Sequence, residues 1–183
     1  MAGRKPAEAV KNFLEPLQIA ASCVTKAIFV TDGRHKPETD TLYTLALGAP
    51  DPVQLAGPHR IKLRAVLTYR VVRWGKGDER GPLKVSTASY AYDLLSGNAA
   101  LLTYHWQPVR RDGRPHRVPY PHLHLGEASG HLLGPKNHVP TGRVSFEAVL
   151  RFAIEELLVR PLRSDALARL ARTEDRFLKF KTW

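Results

Sequence analysis

Ile61-Lys62-Leu63-Arg64-Ala65-Val66-Leu67-Thr68-Tyr69-Arg70-Val71-Val72-Arg73-Trp74 is the stretch on which the fold turns. Its odd positions as far as Val71 are all apolar or aromatic, whereas Lys62, Arg64, Thr68 and Arg70 break up the even ones. A period of two is that of a half-buried strand, so the odd residues face a core and the even ones a second, basic surface. Three cations then project from one side of one strand at intervals of about 7 Å or multiples of it. Such a row could track the phosphates of a nucleic acid, and it is equally the ordinary solvated face of a sheet.

Working outward, period-two segments recur at Val24 to Thr31, Thr41 to Gly48, Leu83 to Leu95, Ala99 to Trp106 and His122 to Leu125. Turn-forming clusters divide them: Asp32-Gly33, Gly48-Ala49-Pro50-Asp51-Pro52, Gly57-Pro58, Gly75 to Pro82 and Asp112-Gly113-Arg114-Pro115. Consecutive strands with no helix between them predict an antiparallel meander. For Leu83 to Trp106, a three-residue loop Ser96-Gly97-Asn98 sets Tyr90 opposite Tyr104, Tyr92 opposite Leu102 and Leu94 opposite Ala100. That register leaves Ser89, Asp93, Thr103 and His105 on the polar face, with Asp93 and His105 too far apart along the hairpin to touch.

Helical periodicity brackets the strands. Val10, Phe13, Leu14 and Leu17 follow Pro6, which suits a first turn, and Pro16 is expected to end or kink that helix. Beyond Gly142, the residues Phe146, Val149, Leu150, Ala153, Ile154, Leu157 and Leu158 form one stripe, with Ser145 as N-cap and Glu147 in the first turn. Ser164 to Phe180 reads as a second helix with Leu167, Leu170, Ala171, Phe177 and Leu178 inward. The expected architecture is a single α+β domain over 1–183. A helical segment (1–23) precedes an antiparallel sheet (24–126), and two C-terminal helices (143–183) cover one face of the sheet.

Composition narrows the function. With 43% hydrophobic and 25% charged residues in 183, the chain has enough apolar surface for a core, which excludes a disordered protein. Lys and Arg number 28 against 17 Asp and Glu, a net +11 that points to a polyanionic partner. The surplus is regional: residues 60–117 carry twelve cations and four anions, while 1–59 balance six against six. Cys23 is alone, so no internal disulfide forms, and its apolar setting marks a buried small hydrophobe. No apolar run approaches a membrane span or a secretory signal, and the expected location is cytoplasmic.

The densest chemical signal is Tyr120-Pro121-His122-Leu123-His124-Leu125-Gly126, with His105 before it and His131 and His138 after it. On a strand, His122 and His124 share a face while Leu123 and Leu125 enter the core. Imidazoles so placed can serve as general acid and base, can bind zinc together with His105 in a three-nitrogen site with an open position, or can be structural. Asp93 joins His105, His122 and His124 as a candidate catalytic group. Candidate nucleic-acid contacts are Lys62, Arg64 and Arg70 on the strand, Arg110, Arg111 and Arg114 in the loop from Gln107 to Pro121, and Tyr92 and Tyr104 if exposed for base stacking. That loop reads as a basic lid or a disordered excursion.

Tyr90-Ala91-Tyr92-Asp93, Tyr104-His105-Trp106 and Pro121-His122-Leu123-His124, followed by the helix Ser145 to Leu158, together resemble the TumE-type toxins of bacterial toxin-antitoxin systems over residues 90–158. The resemblance implies a small protein that acts on RNA or translation beside an antitoxin-like protein partner. The favoured expectation is a basic RNA-binding protein, extending to a His-dependent, metal-independent endoribonuclease without a cofactor. The alternatives are a zinc protein or hydrolase using His105, His122 and His124, and a non-catalytic interaction module.

Overall fold

The computed structural model describes residues 2–33, 37–78, 81–110, 112–126 and 136–180, apart from the side chains of 75–78 and 180. Among them the elements run β1 (Ala2–Gly3), α1 (Pro6–Ala21), β2 (Val30–Thr31), β3 (Tyr43–Leu47), β4 (Val53–Gln54), β5 (Ile61–Asp78), β6 (Gly81–Ser96), β7 (Ala99–Trp106), β8 (His122–Leu125), β9 (Val139–Pro140), α2 (Phe146–Glu155) and α3 (Ala166–Phe180). The nine strands form one antiparallel sheet in the order β2-β3-β5-β6-β7-β8-β9, with β1 added to β6 and β4 to β5. The fold is therefore the expected α+β, largely a meander. The C-terminal helices pack on one face, and α1 joins them against β5 and β6.

The alternation of β5 decides which face is which. Ile61, Leu63, Ala65, Leu67, Tyr69 and Val71 are all buried, whereas Lys62, Arg64, Val66 and Thr68 are half-buried and Arg70 is exposed. The helices cover the first set, where Phe13, Tyr69, Tyr90, Tyr92 and Phe146 make the aromatic part of a core that also holds Leu170. The other face carries Lys62, Arg64, Thr68 and Arg70 together with Val66.

Several local expectations are corrected by packing. Helix α1 runs through Pro16 because Ala9, Val10, Phe13, Pro16, Leu17, Ala20 and Ala21 form one buried stripe, and that burial outweighs one lost backbone bond. The strand expected over Val24 to Thr31 shrinks to β2. Val24 and Thr25 instead donate to the Ala21 carbonyl, and the Gln18 side chain bonds both Phe29 N and the Ala27 carbonyl, taking the place of a strand neighbour. The turn expected from Gly75 to Pro82 is narrower, since β5 extends to Asp78, which pairs with Gly81.

Helix α2 starts where expected, with the Ser145 hydroxyl accepting from Ala148 N, but stops at Glu155. Leu158 lies beyond it at φ 53° and is exposed, so it leaves the inward stripe. In α3 the inward residues are Ala166, Leu170, Thr173 and Phe177, one helical face that excludes Leu167, Ala171 and Leu178.

The β6–β7 hairpin closes with a two-residue turn, Gly97-Asn98, rather than a three-residue one, so Ser96 pairs with Ala99. Gly97 holds φ 61°, a conformation that glycine adopts without strain. Such a turn alone would place core and polar residues on the same face. A bulge between Leu94 and Leu95 restores the parity, setting Leu94 opposite Leu102, Tyr92 opposite Tyr104, Tyr90 opposite Trp106 and Asp93 opposite Thr103. Face assignments hold, but beyond the bulge each partner is displaced by two residues from expectation, which brings Asp93 within one diagonal of His105.

Candidate functional site

On the open face of the sheet the registers line up two adjacent cross-strand rows. One is Arg64 (β5), Asp93 (β6), Thr103 (β7) and His124 (β8); the other is Val66, Ala91, His105, His122 and, on β9, Pro140. Neighbouring strands stand about 4.8 Å apart, so residues dispersed over the sequence become side-chain neighbours here.

The first row is a chain of hydrogen bonds. Arg64 Nε donates to Asp93 Oδ2 at 2.7 Å, and the Thr103 hydroxyl donates to Asp93 Oδ1 at 2.8 Å. Asp93, expected as a catalytic group, is buried with both oxygens engaged, which makes it an anchor for Arg64.

The second row and His124 make an imidazole cluster. One ligand nitrogen from each of His105, His122 and His124 lies within 4.8 Å of the others. His122 Nε2 and His124 Nε2 are 2.9 Å apart, and His122 Nδ1 is 2.8 Å from the Tyr120 carbonyl. A carbonyl can only accept, so Nδ1 carries the proton and the Nε2 lone pair of His122 faces the cluster. His122 is only 1% exposed, with the His138 ring 4.8 Å away and Tyr120 and His105 also around it.

Burial and mutual repulsion disfavour the charged forms of His105, His122 and His138. Burial pushes the His105 pKa down to about 4, helped by His122, His124 and His116 against a small opposing pull from Asp93. His122 is lowered by burial and by His124, His138 and His116, partly offset by its bond to Tyr120. His138 is lowered in the same direction, by desolvation first and then by His124, Arg117 and His116.

Other expected residues fall elsewhere. Tyr92 is 3% exposed on the helix-covered face, stacked on Tyr90 at 4.8 Å and against Phe146 at 5.7 Å, so it cannot stack a base. Tyr104 shares that face opposite Tyr92 and packs on the core. Lys62 and Arg70 do stand on the open face, on either side of Arg64, and Lys62 Nζ lies 3.4 Å from Asn98 Oδ1. Arg110 and Arg114 are exposed on a hairpin. Val109 bridges Pro115 there, His116 N donates to the Pro108 carbonyl, and Trp106 Nε1 donates to the Pro119 carbonyl. That hairpin returns His116 to 6.3 Å from His105, measured between ring centres. Arg111 and His131 lie outside the described residues.

Sequence reasoning missed the Arg64–Asp93–Thr103 chain, whose two links are set by separate registers, β5 on β6 for Arg64 and the bulged β6–β7 hairpin for Thr103. Next to the cluster lies a concavity of about 340 Å³ lined by Arg64, Asp93, Thr103, His105 and His124, over a low floor that includes Ala91, Ala100 and Gly126. No family model, curated protein or solved structure matches the chain.

Proposed function

We propose that His105, His122 and His124 bind a divalent metal ion of the zinc type, and that the protein is a hydrolase working at that centre. The observation that carries this reading is the convergence of three imidazole nitrogens within 4.8 Å from two hydrogen-bonded strands. Zinc needs nitrogens about 2.0–2.1 Å away, neutral rings and a second partner that fixes each tautomer. Burial favours the neutral ring at His105 and His122, and His122 has its second partner in Tyr120. A three-nitrogen site leaves a position open, and the adjacent concavity gives a substrate room to reach it. A metal held this way would supply a hydroxide near neutral pH.

The same facts weigh against a metal-free acid–base pair, because a general acid must hold a proton at working pH and His105 and His122 resist one. The endoribonuclease reading, with RNA as substrate and an antitoxin-like partner, stands second. It is favoured by Lys62 and Arg70 on the face that carries the histidines.

Elemental analysis after purification without added metal separates the two. One zinc per chain is expected, falling to near zero in His124→Ala and His105→Ala while the fold persists, since both rings are only half-buried. Wild-type protein that neither retains nor takes up zinc, and whose RNA cleavage is indifferent to EDTA, would return the site to acid–base chemistry.

A further inference from the structure

We propose that the concavity beside the imidazoles binds the phosphoryl group of a phosphoester, with Arg64 as its clamp. This rests on the metal reading for one of its contact points, while the clamp itself does not depend on it.

Arg64 spends only Nε on Asp93, and among the described residues its two Nη groups have no protein partner. Its side chain is 43% exposed although its anchor is 10% exposed, so the guanidinium is held from below and open from above. Thr103 occupies the second oxygen of Asp93, which prevents the carboxylate from turning toward the Nη groups. A planar fork fixed in this way presents two parallel N–H donors, the arrangement that suits phosphate and carboxylate oxygens.

The count of contact points chooses between those two anions. A carboxylate has two oxygens and is exhausted by the fork alone. A phosphoryl group has enough oxygens to take the fork and still offer one to the centre that includes His105 and His124, which line the same concavity. Asp93 is the sole carboxylate along that wall among the described residues, and its charge is already matched by Arg64. Ala91, Ala100 and Gly126 keep the floor low between the two ends. Gly126 has no freedom to be larger, because a Cβ there would collide with the Ala100 carbonyl.

The test titrates inorganic phosphate into zinc-loaded and metal-free protein by calorimetry and follows zinc content separately. Arg64→Gln should weaken phosphate binding at least tenfold and leave zinc stoichiometry unchanged, whereas His124→Ala should lower zinc. Because Arg64→Gln strands a buried carboxylate, the double variant Arg64→Gln/Asp93→Asn is measured beside it. It should regain the wild-type melting temperature and still fail to bind phosphate. Unchanged phosphate affinity in the double variant overturns the clamp and leaves the metal reading standing. Failure of the wild type to bind phosphate in either form also overturns it. If zinc does not bind but phosphate binding to the metal-free protein still requires Arg64, the clamp holds and the metal reading falls. Displacement of phosphate by a single-stranded RNA hexamer assigns the group to a nucleic-acid diester, and its persistence assigns it to a small phosphoester.

Discussion

Glu147 shows how one side chain can tie stability to pH. It is 2% exposed in the first turn of α2, and among the described residues its Oε2 has no hydrogen-bond partner. Burial raises its pKa to about 7, Glu174 pushes the same way, and bonds from its own backbone and Thr173 pull down. The folded state therefore holds a proton that the unfolded chain has released above its ordinary value of 4.5. Stability from this group is complete below pH 4.5 and is lost as pH rises through about 7. Glu147→Gln should accordingly stabilise the protein at pH 8 by on the order of 2 kcal/mol and change little at pH 4.5. Urea unfolding at the two pH values measures this, and an equal gain at both would show that packing rather than ionisation is responsible. The sequence marks Glu147 as a helix-dipole residue, which it is by position. Its burial was not legible, because it depends on α3 covering the first turn of α2.

At the scale of elements, the β7–β8 pairing assembles the imidazoles, and Gly126 secures its end. Gly126 N donates to the Leu101 carbonyl at 2.8 Å, and the backbone passes so close to Ala100 that a methyl group has no room. Gly126→Ala should push β8 away from β7, costing about 1–3 kcal/mol and separating His124 from His105. A zinc affinity reduced in parallel with the melting temperature is the expected result, and a variant as stable as wild type would contradict the close approach. Much of this element was legible: period two gave β8 its bounds and put His122 and His124 on one face. The Leu94/Leu95 bulge was not, because a bulge is the sheet's repair of a turn whose length the residues Ser96-Gly97-Asn98 leave open. That unread bulge is why Asp93 was placed far from His105 and why its bond to Thr103 was missed, while its bond to Arg64 follows from the β5–β6 register. The strand expected at Val24 to Thr31 failed for a similar reason, since Gln18 competes for its backbone from another element.

Over the whole molecule, the two faces of the sheet divide the labour, with the helices packed over one and Lys62, Arg64 and Arg70 standing on the other. No helix among the described residues is long and apolar enough to cross a membrane. The open face carries Lys62 and Arg70, and the Gln107 to Pro121 hairpin carries exposed Arg110 and Arg114. What was not legible at this scale is how chain segments outside the strands return to the site, bringing His116 and His138 to the cluster through loop closure rather than periodicity. A polyanion on this face would displace counterions from those cations, and its affinity should fall with salt at a log–log slope of roughly −0.7 per phosphate contacted on a single strand. The structure separates the cations by state: Lys62 and Arg70 have no ion-pair partner among the described residues, whereas Arg64 is already matched by Asp93. Lys62→Gln/Arg70→Gln should therefore flatten the slope for a single-stranded RNA by about 1.4, two phosphates' worth, whereas Arg64→Gln should alter affinity with less effect on slope. Fluorescence anisotropy between low and physiological salt gives both numbers. An affinity insensitive to salt, or a slope untouched by the double substitution, would mean that the open face is solvated charge and that the polyanion is held elsewhere or not at all.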